Sequence, residues 1–307
     1  MIYDLTIIGG GPAGVSAGVY AARKKLKTLL IATEFGGQSI VSEGIENWIG
    51  TVKLSGHDLA QNLKNHLLAY AGETVEVKEG ELVQDIQKIV ASFKVITENG
   101  EFESKAVLIT TGSTRRKLEI PGAEEFDNKG LTYCASCDGP LFSDQDVVVV
   151  GGGNAALETS AQLLAYCKSV TLLNRSEKLK GDEITIDKLT QNPKFKIILN
   201  AIPKEIKGSS FVESIIYTDS STKEDREIKA TGIFVEIGLI PTTYFAKNVL
   251  ELNKIGQIPV DPRTQKTLVP GIWAAGDCTD GLYHQNNIAS GDAVKALEDI
   301  YMELNTR

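Results

Sequence analysis

Two glycine-rich turns, each set between an apolar strand and a helical pattern, constrain this chain more than any other feature. In the first, Asp4 to Ile8 reads as a short buried strand. Gly9-Gly10-Gly11-Pro12-Ala13-Gly14 follows, then a helical pattern through Lys24 and a second strand from Thr28 to Ala32. Gly9 suits the tight turn, Gly11 lets the backbone approach a pyrophosphate, and Gly14 lets the helix pack on the strand. The helix N-terminus, with Pro12 and Ala13 in its first turn, would face the phosphates with its unpaired N–H groups. Glu34 falls 20 residues after Gly14, where an acid accepts from a ribose 2′-hydroxyl. A glycine-rich turn of some other α/β fold would lack the flanking strands, the helix and the acid.

The second turn repeats the pattern with one difference. Val147 to Val150 is the strand, Gly151-Gly152-Gly153-Asn154-Ala155-Ala156 the loop, Leu157 to Tyr166 the helix and Val170 to Leu173 the next strand. The last motif position is alanine, which the G-x-G-x-x-G/A form accepts. Asn174-Arg175-Ser176 closes the second strand with no acid, and Lys178 and Lys180 stand just beyond. A carboxylate there would repel a 2′-phosphate, whereas an arginine would bind it. The other reading is a solvated loop of ordinary positive charge. Two such units suggest two dinucleotides. The acid-bearing one suits an adenosine with a free ribose, such as FAD, and the arginine-bearing one a nicotinamide cofactor, with hydride passing from nicotinamide to flavin.

The fold expected is therefore α/β, with two Rossmann-like dinucleotide-binding domains, the second inserted in the first. Val107 to Thr111 is a further apolar strand ending in Thr111-Gly112-Ser113. Gly271 to Ala275 is another, running into Gly276-Asp277, where a carboxylate could accept from a polyol such as the flavin ribityl chain. A helical pattern from Asn287 to Leu304 would cover the sheet. The first domain is thus expected over 1–117 and 245–307, and the nicotinamide domain over 118–244, with linkers near Pro121-Gly122 and Pro241.

At 307 residues the chain is long enough for two sizeable cores. No apolar run reaches the ~18 residues of a membrane helix, and Met1 to Ile8 reads directly into a strand rather than a signal peptide. A net charge of −8 argues against nucleic acid or an anionic membrane as partner. The expected setting is the cytoplasm, where a disulfide is usually catalytic or sensing.

Cys134-Ala135-Ser136-Cys137-Asp138-Gly139 carries two of the four cysteines. A structural zinc site wants four ligands. Cys167 and Cys278 stand alone, and His57, His66 and His284 have no metal spacing, so no metal is expected. A reversible disulfide fits better. One thiol could face a flavin and the other a substrate disulfide, with Asp138 carrying the proton of thiol–disulfide exchange. Cys167 and Cys278 read as packing residues.

These residues together resemble the low-molecular-weight thioredoxin reductases over almost the whole chain. The matching pieces are Gly9 to Gly14, Gly36-Gly37-Gln38, Glu46-Asn47-Trp48, Cys134 to Gly139, Gly151 to Ala156, Gly276-Asp277 and Tyr283-His284-Gln285. The resemblance implies an FAD domain made from both chain ends, an inserted nicotinamide domain carrying the C-x-x-C, and a homodimer. It makes Cys137 the thiol beside the flavin, Cys134 the one that attacks a thioredoxin or glutaredoxin-like protein, and Asp138 the acid. Gly11, Gln38, Asn47, Asp277 and Gln285 become FAD contacts, joined by Gly9, Pro12, Ala13, Gly14, Glu34, Gly37, Thr111, Gly112, Gly276 and His284. Gly151, Gly153, Asn154, Ala155, Asn174, Arg175 and Lys180 become the nicotinamide set. It further implies a rotation of the inserted domain, about the segments near Gly122 and Pro241, that alternates the two half-reactions.

Two departures stand out. NADPH-using members carry His-Arg-Arg and a further arginine, where this chain has Asn174-Arg175-Ser176 and Lys180. NADPH is the expected donor, with NADH left open. The segment Lys178 to Asp182 is also similar to NADH-using reductases that serve peroxiredoxins, although this chain lacks their N-terminal thioredoxin-like domain, so its substrate is expected to be a separate protein. His284 stands where arginine is common. Rival readings keep the FAD and disulfide. One takes electrons from ferredoxin or passes them to oxygen, but such relatives tend to lose the second glycine motif, which this chain keeps. Another is a flavin redox sensor, which needs the same thiols.

Overall fold

The computed structural model describes residues 1–42 and 44–306, excluding the side chains of Val41, Ser136, Cys137 and Thr306. The chain divides into two compact units, Met1–Thr114 with Ile240–Arg307, and Arg115–Leu239. Both units are α/β, and the second is an insertion in the first. The crossing points, 114/115 and 239/240, lie 3 and 5 residues before the expected boundaries at 117/118 and 244/245.

The first unit is built on a largely parallel sheet. Its strands, numbered along the chain, are β1 (Ile2–Gly10), β2 (Thr28–Phe35), β3 (Val75–Glu79), β4 (Val83–Lys88), β5 (Phe93–Thr97) and β6 (Glu101–Ile109), ordered β3-β2-β1-β6-β5-β4. β4 and β5 join antiparallel. The last strand of the chain, β17 (Ile272–Ala274), runs parallel to the C-terminal half of β6, pairing Ile272 with Val107 and Ala274 with Ile109. The C-terminal segment thus completes the sheet as the sequence predicts.

β1 and β2 are near-continuous apolar runs because both faces are covered, as in parallel sheets generally. On one face Leu5, Ile7, Leu30 and Leu108 pack with α1 (Pro12–Arg23), α2 (Gly56–Ala71) and the last helix of the chain, α6 (Asn286–Thr306), through Val15, Leu67, Leu297 and Ile300. On the other, Ile8, Leu29, Ile31, Val107 and Ile109 meet Ala246, Leu250 and Ile258.

In the second unit a five-stranded parallel sheet has the order β11-β10-β9-β15-β8. The strands are β8 (Leu131–Thr132), β9 (Asp146–Val150), β10 (Ser169–Leu173), β11 (Phe195–Ile198) and β15 (Gly232–Val235). Three helices belong to it: α3 (Ala135–Asp138), α4 (Asn154–Leu163) and α5 (Glu183–Thr190). α4 begins at Asn154, three residues before the helix expected at Leu157, because Gly153 is its N-cap. A separate antiparallel sheet is formed by β12 (Ala201–Gly208), β13 (Val212–Asp219) and β14 (Asp225–Lys229).

The connecting strands β7 (Ser113–Arg115) and β16 (Leu239–Pro241) pair with each other. Pro241 ends the second of them, near its expected linker position. Pro121-Gly122 does not act as a linker. Ile206 N–H donates to the Pro121 carbonyl at 2.9 Å, and a Cβ on Gly122 would come within 2.2 Å of the Ile206 carbonyl, so this turn is packed inside the second unit. No described helix is long and apolar enough to cross a membrane.

Candidate active site

The first glycine loop joins β1 to α1. Gly9 has φ +120°, and a Cβ on Gly14 would lie 1.9 Å from the Gly9 carbonyl, so the helix sits as close to the strand as backbone allows. Gly11 caps α1 with no side-chain hydrogen bond. A Cβ on Gly11 would meet only Gly37 Cα, at 3.9 Å, leaving an open cradle in front of the helix N-terminus. Gly36 N–H donates to the Gly10 carbonyl at 3.0 Å, which sets exposed Glu34 and half-buried Gly37 beside the loop.

Polar side chains from distant segments converge in this unit. Gln38 Nε2 donates to Ser113 Oγ at 3.2 Å and to Asp277 Oδ2 at 3.4 Å. Asp277 Oδ1 lies 3.4 Å from His284 Nδ1, and Asn47 Nδ2 donates to Gln285 Oε1 at 3.1 Å. The hydrogen bond to Asp277 raises the His284 pKa above its ordinary value, against burial, which lowers it. Gly276 rests on Ala13 and Ala289, where a Cβ would be 3.5 and 3.1 Å from theirs, and this joins the C-terminal segment to the start of α1. The structure therefore brings Gln38, Asn47, Asp277, His284 and Gln285 into one connected region. Thr111 and Gly112 have a tethering role: Thr111 Oγ1 donates to the Thr242 carbonyl at 2.6 Å, and Thr242 N–H donates to that of Gly112 at 3.0 Å.

Ser39, Asn286 and Asn287 belong to the same network, and sequence reasoning does not single them out. Asn286 Nδ2 donates to Ser39 Oγ at 2.9 Å, and Asn287 Nδ2 to the Asn47 carbonyl at 2.7 Å. The doubled asparagine opening a helical pattern is the one signal for them. Ser113 has none, since its partner lies 75 positions away.

The second glycine loop, between β9 and α4, has the same form. Gly153 caps α4 without a side-chain hydrogen bond, and a Cβ there would meet nothing within 4 Å. The side chains of Asn154 and Asn174 build the loop around it. Asn154 Oδ1 accepts from Asp182 N–H at 2.8 Å. Asn174 is buried and its amide nitrogen donates to the carbonyls of Ser176 and Lys178, both at 2.9 Å. Its oxygen packs on Gly152, 2.1 Å from where a Cβ would stand. Asn174 is thus a shaper of the loop, its two donors already used. Lys180 N–H donates to the Gly152 carbonyl at 2.7 Å, and the side chains of Arg175 and Lys180 are exposed. Arg175 has no ion pair among the described residues. Ala155 is exposed beside Asn154 at the start of α4.

Cys134 is disulfide-bonded and caps α3. Asp138 N–H donates to its carbonyl at 3.0 Å, and Thr132 Oγ1 hydrogen-bonds the Asp138 carboxylate. Cys134 N–H in turn donates to Thr132 Oγ1 at 3.3 Å. Thr132, unremarkable in the sequence, therefore orders both the cysteine and the acid. The side chain of Cys137, for which a role beside the flavin is expected, lies outside the described residues. Cys167 and Cys278 are free and buried, and burial pushes their thiols up to about 11 and about 12. Such thiols are inert at neutral pH.

Residues 3–293 match the pyridine nucleotide-disulphide oxidoreductase family. The chain belongs to that family. The family implies FAD and a pyridine nucleotide, and the two open cradles at uncapped helix N-termini fit diphosphates of that kind. Among curated relatives, the chain is 42% identical over 295 residues to a component of the alkyl hydroperoxide reductase of Staphylococcus aureus and 39% identical to an NADH dehydrogenase of Bacillus subtilis. Each match covers 96% of this chain and 57% of the relative, so the chain spans little more than half their length. Among solved structures, thioredoxin reductase from Streptococcus pyogenes matches with TM-score 0.88 at 34% identity, covering 100% of this chain and 99% of that one. Thioredoxin reductase from Giardia duodenalis matches with TM-score 0.90 at 31% identity and the same coverage.

Proposed function

We propose that this chain is a thioredoxin reductase, a cytoplasmic homodimer that reduces the disulfide of a separate thioredoxin or glutaredoxin-like protein with electrons from NADPH. The single observation that carries the reading is the disulfide at Cys134, held in the unit that also carries the second glycine loop. The overall change is NADPH, a proton and an oxidised thioredoxin giving NADP⁺ and a reduced one.

The first unit would hold FAD, with the diphosphate at the α1 N-terminus, Glu34 on the adenosine ribose and the Gln38–Asp277 pair near the polyol chain. The second would hold the nicotinamide dinucleotide, its diphosphate at the α4 N-terminus and Arg175 with Lys180 near the 2′-phosphate. Bound FAD supplies two-electron transfer between nicotinamide and disulfide. The chain's own residues then manage thiols and protons. Cys137 is assigned the end of the disulfide that receives electrons from FAD. Cys134 attacks the substrate disulfide as thiolate, and Cys137 resolves the mixed disulfide by attacking Cys134. Asp138, kept in place by Thr132, carries the proton between thiol and solvent.

Anaerobic titration with NADPH and then NADH tests the donor. Bleaching of the flavin by NADPH at lower concentration supports the reading, and no bleaching by either overturns it. Cys137→Ser should trap a mixed disulfide with a thioredoxin carrying one activated cysteine, and Cys134→Ser should not. Trapping through Cys137 alone reverses the assignment. A second reading, an NADH-using reductase of a peroxide-reducing system, is favoured by the higher identity to the Staphylococcus aureus relative. Turnover with NADH that exceeds turnover with NADPH would establish it.

A further inference from the structure

Glu236 is a carboxyl placed where a buried carboxyl is costly. It follows the last residue of β15, and its N–H donates to the Val150 carbonyl at the end of β9 at 2.8 Å. Its own carbonyl abuts Gly151, where a Cβ would come within 2.4 Å. The side chain is 17% exposed. One oxygen, Oε1, accepts from Thr159 Oγ1 of α4 at 2.9 Å and lies 4.0 Å from Arg115 Nη1. The other, Oε2, takes no hydrogen bond among the described residues. Burial raises the carboxyl's pKa above its ordinary value, and Arg115 and Thr159 only partly oppose this. For holding α4 to the strand, one hydroxyl bond would suffice, and a neutral side chain would make it without the desolvation of a charge.

The position suggests what the second oxygen is for. In the sheet order β11-β10-β9-β15-β8, the strands following β9 lie on one side and β15 on the other, so the order reverses between β9 and β15. Open α/β sheets bind dinucleotides across the crevice at the carboxyl ends of such strands. The diphosphate belongs at the α4 N-terminus and the adenosine half on the β10 side, where Arg175 stands. The other half of the molecule must then cross to the end of β15, where Glu236 is the first residue.

We infer that Glu236 binds the nicotinamide-ribose half of the dinucleotide, its Oε2 accepting a hydrogen bond from that half. The inference rests on the second glycine loop holding a nicotinamide cofactor. It separates two jobs within one site. Arg175 distinguishes a 2′-phosphate from its absence. Glu236 grips a half that NADPH and NADH share, and is blind to the phosphate.

The test is calorimetric titration of FAD-loaded wild type, Glu236→Ala and Glu236→Gln with NADP⁺, NAD⁺, and the fragments 2′,5′-ADP and ADP, which lack nicotinamide. Loss of one hydrogen bond should weaken NADP⁺ and NAD⁺ by the same factor, about 2–10-fold, in the alanine variant. The fragments should keep their wild-type affinities. The glutamine variant, whose amide oxygen still accepts, should recover most of the loss. In turnover, KM for the dinucleotide should rise more than kcat falls. Fragments weakened as much as the dinucleotides would make Glu236 a loop-shaping residue only, and unchanged dinucleotides would show that it does not touch them. Either result overturns the inference while leaving the thioredoxin reductase reading intact. Wild type that binds neither dinucleotide overturns both.

Discussion

Asn174→Asp separates what the sequence pattern suggests from what the structure shows. An acid at the end of the second strand of a dinucleotide unit ordinarily favours NADH by accepting from the ribose 2′-hydroxyl. By pattern alone, the substitution should convert the enzyme to NADH. In the structure Asn174 is 6% exposed and its amide nitrogen donates to the carbonyls of Ser176 and Lys178. An aspartate loses both donors and turns an anionic oxygen toward two carbonyl oxygens. Two neutral hydrogen bonds are worth about 1–3 kcal/mol together, and a buried group without a partner adds about 1–3 kcal/mol. We therefore expect a loss of about 2–6 kcal/mol from the second unit, together with weaker binding of both dinucleotides as the loop between Ser176 and Lys180 loosens. The new carboxyl would have its pKa raised in the folded state by burial and by the facing carbonyls. The native state would then hold the proton more tightly than the unfolded one, so the deficit should be largest at neutral pH and shrink as pH falls through the raised value. Thermal melts across that range, with KM for NADPH and NADH, are the measurement. A variant that melts with wild type and gains on NADH would refute the loop-shaping role of Asn174.

Arg175→Ala should raise KM for NADPH by roughly 10-fold or more, as expected for one charge-assisted contact, and leave NADH nearly unchanged; equal losses would mean that Arg175 does not read the phosphate. The native protein should show no thiol accessible to a maleimide at neutral pH, because Cys134 is in a disulfide, for which Cys137 is the proposed partner, and Cys167 and Cys278 are buried with raised pKa values; reduction should expose two, and labelling of Cys278 before unfolding would contradict the packing. The His284–Asp277 pair raises the histidine pKa, so its contribution to stability is full below the ordinary histidine value and fades as pH rises through the raised one. His284→Asn should lower the unfolding free energy more near pH ~5.5 than near pH ~9, by up to about 1 kcal/mol, and a pH-independent effect would show that the imidazole is held by packing instead.

The parts of the site legible in the sequence are those whose cause is local. A helix that approaches a strand until a Cβ would lie 1.9 Å from a carbonyl admits only glycine at Gly14, so the loop announces itself in any chain that builds it. The same holds for the apolar runs of β1 and β2, which are buried on both faces, and for the strand and helix that end the chain. What stays hidden depends on partners far along the chain. Ser113 matters through Gln38, and Asn287 through Asn47, at separations of 75 and 240 residues. Thr132 lies only six residues from Asp138, but nothing in a threonine on a two-residue strand says that its hydroxyl will meet that acid.

Punctuation misleads for a related reason. Pro121-Gly122 has the composition of a linker, yet its backbone is hydrogen-bonded to β12, a strand about 80 residues on that the local sequence does not foretell. Asn174 shows the limit most sharply. A motif position predicts which kind of group stands at the end of a strand, but not whether that group looks outward to a ligand or inward to its own loop. The backbone carbonyls of Ser176 and Lys178 need donors, and the asparagine supplies both. With the strand-end residue so occupied, the proposed discrimination between phosphorylated and unphosphorylated dinucleotides would fall to exposed Arg175 and Lys180, whose side chains the loop leaves free of ion pairs among the described residues. On that proposal the rigidity of the loop and its selectivity would be carried by different residues, so substitution of Arg175 should alter selectivity without disturbing the amide that keeps the loop in shape.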